Sequence, residues 1–315
     1  MPHITGLHHV TAIAADPQAN LDFYSGTLGM RLVKKTVNQD VPDTYHLFYA
    51  DAEGHPGTDL TFFPWPEMTP GVKGVGLAAE VGLAVAPGSL AYWSERLAGA
   101  GVSGAREETR FGERSLVFTD PHSLDLALVE TADERVFTPW EQSPVPATNQ
   151  VRGLHSVRLW ERQLAPTVRF LEAIGFVRTG EEGDWHRFSP GAGGSGAIVD
   201  LREMREMPRG SWGPGVVHHV AWRVPDDRAE LAARAEVSRA GAHPTEVIDR
   251  FWFRSVYFRE PGGVLFEIAT DGPGFAVDEP TEALGERLVL PPWFEKARER
   301  IEQGLQPLHA PAARP

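Results

Sequence analysis

One arrangement of apolar and polar positions recurs four times along the chain. In each copy a short apolar run reads as a strand, an amphipathic segment as a helix, and the runs that follow as shorter strands. The first copy opens with Leu7-His8-His9-Val10-Thr11-Ala12-Ile13. Asp16 stands at a helix N-cap with Pro17 at the first helical position, Leu21, Tyr24 and Leu28 follow at helical spacing, and Gly29 supplies the stop. Strand-like runs come next over 31–37, 45–50 and 60–63. The second copy opens over 76–85, places Leu90, Trp93 and Leu97 on one helical face, stops near Gly101, and ends in a hairpin, 114–120 and 124–130, around Pro121. The third opens with Gly153-Leu154-His155-Ser156-Val157-Arg158-Leu159, and its helix carries Val168, Leu171 and Ile174 up to Gly175. The fourth opens with Val216-Val217-His218-His219-Val220-Ala221-Trp222-Arg223-Val224, continues as a helix over 226–240, and closes with strands over 251–259 and 264–270 joined at Pro261-Gly262-Gly263.

The stretch 137–150 contains Pro139, Pro144 and Pro146 and has no period, so it reads as a linker. It divides an N-terminal half, 1–136, from a C-terminal half, 151–279; residues 280–315 read as an arm with a peripheral helix over 292–305 and a loose end. The glycine-rich turn Gly191–Gly196 precedes a strand and lacks a following Lys-Ser/Thr, which argues against a phosphate loop. Four βαβββ modules resemble the vicinal oxygen chelate superfamily, an α+β fold in which two modules pair into a sheet cupped around a metal or ligand.

Composition narrows the chemistry. The 315 residues contain no cysteine, so any metal site must use His, Asp or Glu, and disulfides are excluded. A formal charge of −13 argues against a nucleic-acid partner. No apolar run is long enough to span a bilayer, and Met1–Thr5 lead straight into a strand pattern without the features of a signal peptide. A cytoplasmic protein acting on a small molecule is expected, with no membrane partner and homo-oligomerisation left open.

The repeats serve as internal controls for ligands, which in the superfamily come from the first and last strands of a module. The fourth copy offers His219 on its first strand and Glu267 on its last, six residues after Pro261. In the second copy the position six after Pro121 is Ala127, and no histidine lies near Glu80 or Val81. In the third, Leu154-His155-Ser156 aligns with Leu7-His8-His9 and Val217-His218-His219, so Ser156 replaces the histidine. Strand alternation puts His155 in phase with His8 and His218 rather than with the proposed ligands. The third ligand is therefore His9. Two histidines and one carboxylate leave open positions on a metal, the arrangement associated with non-haem Fe(II) oxygenases. For the three to converge, modules 1 and 4 must share one cup and modules 2 and 3 the other.

A bland reading stands beside this one. A lone histidine near a strand start is usually a core or hydrogen-bonding residue, and a buried Glu is usually paired with Arg. Matched histidines in two repeats together with a Glu in the expected strand favour metal. His46, His55, His122, His186 and His243 lack such placement and read as structural or surface residues; Asp200 is an acid in a module without the ligand histidine.

The motifs narrow the resemblance further. Leu7-His8-His9-Val10-Thr11, Tyr45-His46-Leu47-Phe48-Tyr49-Ala50-Asp51, Arg152-Gly153-Leu154-His155-Ser156, Val217-His218-His219 and Pro261-Gly262-Gly263-Val264-Leu265-Phe266-Glu267 are similar to the hydroquinone ring-cleaving dioxygenase family, over about residues 5–295. That resemblance implies Fe(II), with Mn(II) as the alternative, at His9, His219 and Glu267, and O2 as co-substrate. It implies a hydroquinone-type diol as substrate, chlorinated and methylated forms included, and Thr11, His218, Arg250, Tyr257 and His8 around it. His218 or Tyr257 would serve as base and Arg250 would stabilise the developing anion. Alternation supports Thr11 on the face of His9; it opposes His8 and His218 unless a bulge turns them inward. Alternatives are a catechol extradiol dioxygenase, a glyoxalase- or epimerase-type isomerase, which usually needs a further acidic ligand, and a metal-free binding protein.

Overall fold

The computed structural model describes residues 3–132, 135–191 and 193–311. Module 1 supplies β1 (Gly6–Ala14), β2 (Arg31–Val37), β3 (Tyr45–Ala50) and β4 (Asp59–Pro64). Module 2 supplies β5 (Ala78–Val85), β6 (Arg106–Arg110), β7 (Glu113–Thr119) and β8 (Asp125–Glu130). Module 3 supplies β9 (Gly153–Glu161), β10 (Phe176–Glu182), β11 (Trp185–Pro190) and β12 (Ile198–Glu203). Module 4 supplies β13 (Val217–Val224), β14 (Ile248–Asp249), β15 (Arg254–Arg259) and β16 (Leu265–Thr270). They form two eight-stranded sheets, β14-β15-β16-β13-β1-β4-β3-β2 and β10-β11-β12-β9-β5-β8-β7-β6. Modules 1 and 4 thus share one sheet and modules 2 and 3 the other, as the site assignment requires.

The helices follow their sequence signals. Asp16 accepts a hydrogen bond from the Ala19 N–H at 2.6 Å and caps α1 (Pro17–Leu21), which continues as a π-helical turn over Asp22–Thr27. Gly29 then takes φ +70°, where a Cβ would press on Val145 and Ser143. Helices α2 (Leu90–Gly99), α3 (Leu164–Ala173) and α4 (Asp227–Arg239) pack apolar faces such as Leu90, Trp93 and Leu97 into one core that draws side chains from both sheets. Among the described residues no helix is long and apolar enough to cross a membrane.

The central ladder between β1 and β13 is antiparallel, with Val10 opposite Val220. It carries two irregularities. Leu7 faces Trp222 and His9 faces Ala221, which leaves His8 as an extra residue; Thr11 faces His219 and Ala12 faces Val217, which leaves His218 extra. The ladder between β5 and β9 repeats this, with Ala79 and His155 as the extra residues.

Three segments depart from expectation. The run 251–259 is not strand throughout: β15 begins at Arg254, and Arg250–Phe253 turns back on itself, the Arg250 N–H donating to the Phe253 carbonyl at 3.0 Å. Phe251 there has φ +74°, outside the strand region. Residues 106–110 form an additional edge strand beside β7. The arm holds a 3-10 turn, Pro292–Ala297, followed by α5 (Arg298–Gly304). The segment leading into it is tied down by Lys34, whose buried ammonium donates to the Phe275 carbonyl at 3.0 Å, Asp278 at 2.8 Å and Glu279 at 2.6 Å.

Candidate metal centre

β1 delivers His9, β13 delivers His219 and β16 delivers Glu267 to one point inside the first cup, all three buried. The Nε2 atoms of His9 and His219 lie 3.2 Å apart, and Glu267 Oε2 is 3.3 Å from the first and 3.0 Å from the second. Ligand atoms about 2.1 Å from a common metal stand about 3.0 Å apart in octahedral and about 3.4 Å apart in tetrahedral geometry, which brackets these separations. Glu267 Oε2 is sealed from solvent and takes part in no hydrogen bond, whereas Oε1 accepts from the Ser255 hydroxyl at 2.5 Å. Burial opposes ionisation of Glu267; the neighbouring His9 and His219 outweigh it and hold the carboxyl well below its usual range. The donor set fits a divalent cation.

The bulges explain how the adjacent histidines serve this set. His8 Nδ1 sits 2.9 Å from His9 Nδ1, and His218 Nδ1 sits 2.8 Å from His219 Nδ1. His8 Nε2 is 3.1 Å from the Thr270 carbonyl, which only accepts, so this nitrogen carries the proton and His8 Nδ1 is the acceptor. His9 Nδ1 then donates, which leaves its Nε2 lone pair directed at the metal position. At His219 the same contact, with Nδ1 donating so that Nε2 can face a metal, would place the His218 proton on Nε2. Burial, aided by the neighbouring His219, lowers the pKa of His218 well below the usual value and keeps it neutral.

Above the three ligands opens a cavity of about 860 Å3. His218, Arg250 and Tyr257 line it. Trp212 stacks on His218 with ring centroids 4.2 Å apart, and Tyr257 stands edge-on to His219 at 5.8 Å. Desolvation and then the charge of Glu267 push the Tyr257 phenol above its ordinary value against the pull of Arg250, whose guanidinium lies 5.3 Å from the ring centre. Arg250 also makes a two-pronged ion pair with Asp40 at 3.1 and 3.0 Å, and its carbonyl accepts from Gln39 at 2.8 Å.

Two other residues sit elsewhere. Thr11 is fully buried beneath the cavity wall, its hydroxyl 2.7 Å from Thr61, which in turn lies 2.9 Å from His46 Nε2. His8 does not line the cavity; it bridges the Thr270 carbonyl and His9. His46, read from the sequence as structural or surface, lines the cavity, as do Asp40 and Trp212. A module comparison could have found His46 only if β3 had been expected to contribute to the cup.

The profile of the glyoxalase/bleomycin resistance protein/dioxygenase superfamily matches residues 6–128 and 153–268, two modules in each stretch. The chain belongs to this superfamily. It is 44% identical over 303 residues to a Bacillus subtilis protein provisionally named ring-cleaving dioxygenase MhqO, covering 96% of each chain. It is 33% identical over 313 residues to the chlorohydroquinone/hydroquinone 1,2-dioxygenase of Sphingobium indicum, covering 95% of each. A crystal structure of a Bacillus subtilis protein provisionally called a dioxygenase superposes with a TM-score of 0.92 at 42% identity, covering 98% of this chain and 99% of that one. Glyoxalase I of Zea mays shares the fold, with a TM-score of 0.62 at 14% identity over 84% of this chain and 92% of that one.

The second cup of this glyoxalase-superfamily chain shows what replaces a metal. Glu80 and Ser156 take the ligand-histidine positions, and Asp200 and Ala127 occupy the place of Glu267 in the last strands. Arg187 pairs with Asp200 at 2.8 and 3.0 Å and with Glu113 at 2.8 Å. Arg110 pairs with Glu80, and Arg158 stands 3.8 Å from Glu80 and 3.6 Å from Asp200. Guanidinium groups supply the positive charge there. His155 keeps its bulge and bonds Ser156 at 3.0 Å and Glu113 at 3.1 Å.

Proposed function

We propose that the protein is an Fe(II)-dependent dioxygenase that cleaves the ring of hydroquinone-type aromatic diols. The observation that carries this is the convergence of His9, His219 and Glu267 beneath a cavity walled by aromatic side chains. The names of the relatives at 44% and 33% identity support the reaction class, and the two-His, one-carboxylate set supports Fe(II). The bound iron would supply activation of O2 and would acidify a diol oxygen held on it, the proton leaving to solvent through the cavity mouth.

The chain's own groups then have distinct tasks. His218 directs its Nε2 N–H into the cavity and donates to a diol oxygen. Tyr257 keeps its proton near neutral pH and is a second donor, not the base. Arg250, fixed by Asp40, places positive charge beside Tyr257 where the phenolate develops. Phe63, Trp212 and Phe253 exclude water from the ring. A cytoplasmic location fits a cysteine-free chain built around ferrous iron.

The isomerase reading needs a further acidic ligand, and among the described residues the converging group consists of His9, His219 and Glu267. The deciding experiment is anaerobic reconstitution with Fe(II), followed by O2 uptake with hydroquinone, catechol and a hemithioacetal. Uptake is expected with hydroquinone at one O2 per diol. Absence of uptake with every diol overturns the proposal.

A further inference from the structure

The cavity is far larger than a one-ring diol requires. A cavity of roughly 150 Å3 accommodates benzene, whereas this one measures about 860 Å3, in the range that takes drug-sized ligands. The additional space has a definite chemistry. Trp65, Met68 and Trp212 line it while remaining partly exposed, and all three pack onto a small buried cluster of Ile13, Leu77 and Val216. Trp65 and Trp212 both approach His218, at 6.4 and 4.2 Å between ring centres, so this apolar wall begins where the diol would meet the metal. Wide aromatic faces and an adaptable methionine left half-covered are surfaces that gain by burial under an apolar ligand.

Charge around the mouth narrows the class. Asp40, Asp43 and Glu67 line the cavity and are exposed. Arg250 is the one Lys or Arg among the described residues that line it, and its two-pronged pair with Asp40 holds it beside Tyr257, away from the Trp65–Met68–Trp212 wall. An anionic substituent would meet these carboxylates; Arg259, whose guanidinium lies 5.4 Å from the Trp212 ring centre, stands behind that wall and is not among the residues that line the cavity.

We propose that this site prefers uncharged hydroquinones carrying an apolar substituent with the bulk of a second ring, seated against Trp65, Met68 and Trp212, and that it discriminates against hydroquinones carrying a carboxylate. The inference rests on the diol reading of the site, and its test separates the two. Under anaerobic conditions the Fe(II)-loaded and Zn(II)-loaded proteins are titrated calorimetrically with hydroquinone, 2-phenylhydroquinone and 2,5-dihydroxybenzoate. The phenyl compound is expected to bind at least about tenfold more tightly than hydroquinone, and the carboxylate at least about tenfold more weakly. In Trp65→Ala and Met68→Ala, each checked for native circular dichroism, the phenyl-to-hydroquinone affinity ratio falls toward one. Equal binding of the phenyl and unsubstituted diols, a ratio unchanged in both variants, or tight binding of the carboxylate overturns this inference. If O2 uptake fails for every diol while the binding preference holds, the dioxygenase proposal fails and the binding preference stands.

Discussion

His8 and His218 occupy equivalent positions on the two sides of one ladder: each is the extra residue of a bulge, and each ring nitrogen touches the Nδ1 of the ligand histidine that follows, at 2.9 and 2.8 Å. Without the bulges, alternation would turn both away from their neighbours. The chain Thr270 carbonyl, His8, His9 fixes one tautomer of His9 and leaves Nε2 free for metal. Replacing a group that orients a ligand histidine typically costs about 10–100-fold in metal affinity. His8→Ala is therefore expected to lower Fe(II) affinity by about that factor while retaining the site, as measured by competition with a chromophoric chelator. Wild-type affinity in this variant would remove the tautomer argument.

The triad and its counterpart in the third module predict opposite outcomes. His9→Ala and Glu267→Ala each delete one of three converging ligand atoms and are expected to abolish metal retention after gel filtration, read by atomic absorption. His155→Ala removes a histidine at the same bulge position in the other sheet, where Ser156 and an arginine cluster stand in place of the ligands. It should leave the metal content at the wild-type value. Loss of metal in His155→Ala would show that the repeats had been aligned wrongly.

The four-fold repeat, the pairing of modules 1 and 4 and the convergence of His9, His219 and Glu267 were legible because each rests on periodicity. Ser156 in place of a histidine was enough to link His9 with His219 across the whole chain. His8 and His218 were legible only conditionally, because alternation turns them away unless a bulge intervenes, and nothing in the sequence marks the bulges that are present. The part played by Asp40 and His46 was not legible. Both belong to the segment between β2 and β3 or to β3 itself, and only the curvature of the sheet brings these residues to the cavity above His9, His219 and Glu267 on β1, β13 and β16. Trp252 falls within the expected strand 251–259 and Arg250 just before it; the positive φ of Phe251 makes both part of a cavity wall instead.

The Asp40–Arg250 pair gives a prediction about specificity rather than stability. The Asp40 side chain is 73% exposed, so the pair should contribute at most about 1 kcal/mol to folding. Its loss would free a guanidinium at the cavity wall. Asp40→Ala is expected to melt within a few degrees of wild type yet bind 2,5-dihydroxybenzoate about tenfold more tightly, with the gain shrinking as salt is raised. A large fall in melting temperature, or no change in carboxylate binding, would argue against this account of the pair.

A pair of buried carboxylates outside the His9–His219–Glu267 group should govern the alkaline limit of stability. Glu161 at the end of β9 and Glu260 before the turn to β16 are both fully buried. Glu260 accepts from the Thr167 hydroxyl at 2.7 Å and from the N–H groups of Gly262 and Val264, each at 2.8 Å, while the Glu161 oxygens have no hydrogen-bond partner. Burial, reinforced by Glu260, pushes the Glu161 carboxyl up to about 9. The folded protein therefore keeps a proton that the unfolded chain releases near pH 4.5. Stability from this group is complete below that pH and declines as pH rises toward 9, by up to about 1.4 kcal/mol per unit. Glu161→Gln removes the titration and can donate its amide to Glu260. It should match wild type near pH 4.5 and gain in melting temperature progressively between pH 5 and 9, measured by calorimetry. Parallel pH curves for the two proteins would rule out Glu161 as the buried proton carrier.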